Sequence, residues 1–201
     1  LFACEFAQKS EADLSAIALD APQTGLDFTA RLMIIVVLSA VVEEIYLRGA
    51  LMTVQEGIVG TSACLLFSGL AFAMLHGSLM NFAGPLIAGI AYAYLTYVFG
   101  SVWPAVLAHA VNNLYYMLVL WITDTYAAFG IWNYFAAING LLLLLFLYLS
   151  LRSLENMLVK DMIPHFEKSA GLYDLWLLVR NPGVAAFVLA FVAKLILDGI
   201  G

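Results

Sequence analysis

The sequence predicts an all-α, multi-pass transmembrane bundle of about six helices, with a polar site inside its core. Three observations predict it. Of 201 residues, 64% are hydrophobic and 11% are charged, against about 45–50% and about 25% in an average soluble domain. Mean hydropathy is +0.98. The apolar residues fall into runs close to the ~20 needed to cross a bilayer. A soluble globule must cover its surface with polar groups, and this chain has too few. A net charge of -6 excludes nucleic acid as a partner, because phosphate binding needs clustered Lys and Arg.

Residues 1–30 are expected to form an N-terminal stub and loop, of a processed chain or a fragment since it begins at Leu1 and not Met; the stretch from Leu1 to Gln8 is too short and lacks the basic leader of a secretory signal. The first helix is expected from Arg31 to Gln55, interrupted by Glu43, Glu44 and Arg48. A second runs from Ser62 to Leu79, with Thr61 or Ser62 as its N-cap. The third covers Ala83 to Phe99 and stops at Gly100. The fourth opens at Trp103-Pro104, where a first-turn proline is tolerated, and ends near Thr123. A fifth spans Ile131 to Leu151. Arg152 to Arg180 reads as a polar loop, and Pro182 to Leu197 as the last helix.

Arg152, Lys160, Lys168 and Arg180 share that loop, and the positive-inside rule puts it in the cytoplasm. The connection from Asp124 to Gly130 and the acidic stretch from Glu5 to Asp27 then face outward. Cys4 and Cys64 are too few and too scattered for a disulfide framework.

In a bilayer the polar residues are the informative ones, because an ionisable group at mid-membrane costs roughly 2.5–3.5 kcal/mol. Glu44 and Arg48 stand at i and i+4, the acid first, which is the favourable order for a helical ion pair. Glu43 is left about 100° round the helix without a local partner. Two of the three histidines, His76 and His109, sit inside apolar helices, and His109 shares a helix face with Asn113. His165 falls in the polar loop and reads as solvated. A Glu aided by a His can take a proton from water, and His109 and Asn113 can donate to an oxyanion. The same residues also fit a structural ion pair, a proton relay, or a two-His, one-Glu zinc site, although His-Glu-x-x-His is absent. There is no Gly-x-Ser-x-Gly element.

The motifs Glu43-Glu44-Ile45-Tyr46-Leu47-Arg48, Phe72 to His76 and His109 to Asn113 stand in order on successive helices. This arrangement resembles the CPBP family of CAAX proteases and bacteriocin-processing enzymes, also called Abi. The likeness covers roughly Arg31 to Tyr116. It departs from the common pattern at Ala40, where many members have Pro, and at Leu47, where Phe commonly precedes the Arg. The resemblance implies a metal-independent intramembrane endopeptidase without a cofactor. Glu43 and His76 would activate water, His109 and Asn113 would form the oxyanion hole, and Glu44 and Arg48 would support the site. It further implies a peptide or protein substrate, lipidated or bacteriocin-like, in a bacterial cell membrane. Residues 31–123 would be the catalytic core and 124–201 C-terminal helices with a basic loop. The alternatives are a non-catalytic immunity or binding protein and a proton-coupled transporter.

Depth sets a condition. At 1.5 Å per residue, His76 lies roughly 21 Å from the start of its helix and His109 roughly 9 Å from the start of its own. The two therefore differ by roughly 12 Å in height, which a single site has to absorb.

Overall fold

A computed structural model describes residue 22 and residues 24–77, 81–126, 131–159 and 171–200. Residues 1–21 of the N-terminal stub, Lys160, His165 and Lys168 lie outside the described residues. Seven helices and no strand occur among those described. They are α1 Gly25–Glu56, α2 Thr61–Leu75, α3 Ala83–Phe99, α4 Trp103–Thr125, α5 Ile131–Val159, α6 Leu172–Arg180 and α7 Pro182–Ile200. They fall into two units, one within residues 1–115 and 166–201 and the other within 116–165.

The first helix opens six residues earlier than the apolar run suggests. Thr24 caps it, its hydroxyl accepting from the Asp27 amide at 3.1 Å, and Asp27 pairs with Arg31 at 2.7 Å. A hydroxyl N-cap followed by an acid in the first turn is what a capped helix start looks like. The helix is not uniform. Leu32–Leu38 and Ile45–Met52 are π-helical, and the α-helical Ser39–Glu44 sits between them. Such widened turns free backbone carbonyls and are frequent at functional sites.

α2 ends at Leu75, short of the expected Leu79, because Gly77 takes a left-handed φ of 64°. α3 ends as expected, at Gly100 with φ 60°. Both are glycine C-terminal stops. The polar loop expected over 152–180 is corrected at both ends: α5 continues to Val159 and α6 occupies 172–180. α6 is amphipathic, burying Leu178 in an apolar cluster with Met52, Ala63 and Cys64, while Tyr173 and Trp176 stay exposed. Asn181 then caps α7, accepting from the Gly183 amide at 2.8 Å, with Pro182 in the first turn.

The burial pattern is that of a membrane protein. Ile34, Leu38 and Val42 on α1 and Leu107 and Val111 on α4 are exposed, whereas Glu44, Arg48 and Ser68 are fully buried. α1 and the Trp103–Ile122 stretch of α4 are long and apolar enough to cross a bilayer. With water outside, each exposed Leu or Ile would forfeit about 25 cal/mol per Å²; lipid removes that cost.

α2 and α3 cross at glycines. A Cβ on Gly89 would stand 2.9 Å from the Gly69 Cα and from the Phe72 Cβ, so two backbones approach here as only small residues allow. Gly89→Ala is expected to cost about 1–3 kcal/mol by overpacking, read as a lower thermal midpoint in detergent. Gly140, with nothing within 4 Å, is the control: Gly140→Ala should leave that midpoint unchanged or raise it.

Candidate active site

The inward face of α1 carries the acids. Val42 is exposed, while Glu43, Glu44, Leu47 and Arg48 are buried, as the 100° step of a helix requires. The expected i, i+4 pair forms: Arg48 Nη1 donates to Glu44 Oε1 at 3.0 Å. That same oxygen accepts from His109 Nδ1 at 2.9 Å. Arg48 Nη2 donates to the Gly89 carbonyl at 2.7 Å, and its guanidinium lies over Phe72 and Tyr92, 5.0 and 5.7 Å from their ring centroids. Arg48 thus ties α1 to α3, and Glu44 ties α1 to α4.

Glu43 and Glu44 each keep a buried Oε2 without a hydrogen-bond partner among the described residues, but Glu44 has its other oxygen held by Arg48 and His109, and Glu43 has no such anchor among the described residues. A buried carboxylate without a donor is costly, so the place of Glu43 at a cluster of polar groups calls for a function.

Phe72 joins the two histidines. Its ring meets His76 edge-on at 4.7 Å and His109 edge-on at 5.3 Å. The two imidazoles are therefore no farther apart than those spans laid end to end, and the 12 Å height difference counted from helix starts is absorbed. The reason is local. His76 follows the last residue of α2, and its Nδ1 bonds the Phe72 carbonyl at 2.7 Å, which folds the ring back over the preceding turn. A carbonyl only accepts, so Nδ1 carries the proton there and Nε2 remains for chemistry. Tyr92 stacks on His109 at 5.2 Å and fixes that ring from α3.

Asn113 lies one turn beyond His109, where its Nδ2 donates to the Ile35 carbonyl at 3.1 Å and to Ser39 Oγ at 3.2 Å. Ser39 Oγ itself donates to Ile35. The Ile35 carbonyl has room for these partners because the Ser39 amide bonds Ile34, five residues back. The acceptor that Asn113 uses thus lies in the π-helical stretch of α1.

The six residues named from the sequence fall on α1, on α4 and at the C-cap of α2, within one unit. Sequence reasoning missed Ser39, Gly89 and Tyr92. Gly89, a helix-interior glycine in an apolar segment, carried a signal for close helix contact; Tyr92 and Ser39 carried none, being ordinary residues of membrane helices. Among the described residues, no three His, Cys, Asp or Glu side chains gather as a metal ligand set.

A helical bundle that shows apolar side chains outward and buries two acids, an arginine, two histidines and an asparagine is a membrane protein organised around an internal polar site. Residues 25–115 match the family described as type II CAAX prenyl endopeptidase Rce1-like, and that segment is similar to CAAX proteases. The match contains α1, α2, α3 and all six residues of the cluster. No curated protein and no solved structure gives a match.

Proposed function

We propose that the chain is an intramembrane endopeptidase in which Glu43 activates water for attack on a peptide carbonyl. The observation that carries this reading is the contrast between neighbours: each keeps a buried Oε2 without a donor, but Glu44 Oε1 is engaged by Arg48 and His109, while Glu43 makes no hydrogen bond to a described residue. Glu43 takes a proton from water, whose other hydrogen the Nε2 lone pair of His76 holds. The resulting hydroxide adds to the scissile carbonyl carbon. His109 donates to the oxyanion from Nε2 as the imidazolium, its Nδ1–H kept on Glu44. Asn113 supplies a second donor by releasing Ser39 Oγ while keeping Ile35. Each such donor is worth about 2.7–4 kcal/mol. Collapse of the tetrahedral adduct breaks the C–N bond, and the leaving amine takes its proton from Glu43.

The substrate is a peptide or protein, prenylated or otherwise lipidated, as the family's description suggests. No metal or cofactor takes part. The experiment is cleavage of a fluorogenic lipidated peptide by purified protein in detergent, wild type against Glu43→Gln, each with and without a chelator. Cleavage that survives the substitution, or is abolished by the chelator alone, overturns the reading. Asn113→Ala is expected to lower kcat by about 10²–10³ in the same assay, and an unchanged kcat would remove it from the oxyanion site.

A further inference from the structure

α7 lies outside the segment that matches the family, yet one of its faces serves the site. Phe187, Phe191 and Lys194 stand at i, i+4 and i+7, a single helical stripe. Phe187 packs against the apolar cluster of Leu47, Phe72 and Tyr92. Phe191 rests against Phe82, with ring centroids 6.3 Å apart. Lys194 reaches Gly77, the residue after His76: its Nζ donates to the Gly77 carbonyl at 3.5 Å. The stem of Lys194 also fills the space where a Cβ on Gly77 would be, its Cε 2.5 Å from that point.

The location gives the contact its meaning. α2 closes with two tight bonds, His76 N–H to Ala73 at 3.2 Å and Gly77 N–H to Met74 at 3.0 Å. Gly77 then turns into the left-handed region, leaving its carbonyl at the negative end of the helix dipole, where a cation is favourable. A lysine in an apolar helix is costly and needs such a partner. His76 hangs on this closing turn, its ring held by the carbonyl and the ring edge of Phe72 one turn back.

We infer that Lys194 is a positioning residue: by capping the Gly77 carbonyl it locks the last turn of α2 and holds His76 with its proton on Nδ1 and Nε2 towards the water. This rests on the proposed role of His76 in the protease reaction. The test reads the histidine directly as well as the activity. The chain has three histidines, so ¹⁵N-histidine NMR of the full-length protein in detergent can be assigned with His109→Gln and His165→Gln. Lys194→Met is expected to remove the His76 Nδ1–H tautomer signature and to lower kcat by about 10- to 100-fold with KM little changed, while Lys194→Arg retains both. Lys194→Gln carries the same measurement should the methionine variant fail to fold.

A His76 spectrum unchanged in the Met or Gln variant overturns the inference. So does an Arg variant that falls as far as the Met variant, which would make the lysine a packing element. If Glu43→Gln retains cleavage, the protease reading fails, but the His76 spectrum still decides whether Lys194 sets the imidazole.

Discussion

Arg48→Ala is expected to destabilise the protein by about 3–5 kcal/mol, the usual cost of removing one partner from a buried ion pair, and to abolish activity with it. The substitution does three things at once. It leaves the Glu44 carboxylate, fully buried, with His109 as its one remaining partner of the two now present. It strips the Gly89 carbonyl of its 2.7 Å donor. It also empties the space over Phe72 and Tyr92 where the guanidinium now lies. Arg48→Lys should fall between wild type and alanine, because an ammonium is a point charge that cannot span Glu44 and Gly89 as the planar fork does. Removing both charges, in Glu44→Gln with Arg48→Met, should recover part of the loss, since paired apolar replacement spares the uncompensated charge. Thermal unfolding in detergent decides it. If the double variant is as unstable as the two single ones added together, the two residues are not coupled and the pair is not what holds the site.

The membrane bundle was legible from composition, and so was the Glu44–Arg48 pair, because i, i+4 spacing is fixed by helix geometry whatever the helix packs against. The start of α1 was not. Its opening residues, with Asp27, Thr29 and Arg31, break the apolar run, so hydropathy alone placed them in a loop, although Thr24 and Asp27 spell a cap. α6 was missed for the converse reason: nine residues between charged flanks are too few for a spanning run, yet enough to bury Leu178. Within the site, residue types and order named the cluster, but the partners were set by tertiary contacts. That Glu44 shares one oxygen between Arg48 and His109, and that Asn113 reaches a carbonyl in a π-helical stretch, depends on how α1 and α4 run past each other. His109 meets Glu44 while Asn113 meets Ser39 and Ile35, so rising numbers on α4 answer falling numbers on α1: the two are antiparallel. No periodicity in a single sequence fixes that register.

Two adjacent glutamates give the sharpest contrast available. Glu43→Gln is expected to lower kcat by about 10²–10⁴, the usual worth of a positioned general base, with KM and the thermal midpoint little changed. Glutamine fills the same volume, and the carboxylate it replaces makes no hydrogen bond to a described residue, so no structural bond is lost. Glu44→Gln should behave oppositely. Its Oε1 accepts from two side chains, and a neutral amide leaves the buried guanidinium of Arg48 without its counter-charge, so the thermal midpoint falls before any question of chemistry arises. The pair of measurements separates catalysis from architecture without reference to any other protein. Were Glu43→Gln the variant that melts early and Glu44→Gln the one that folds but cannot cleave, the two roles would have to be exchanged, and water activation would belong to the carboxylate that His109 holds.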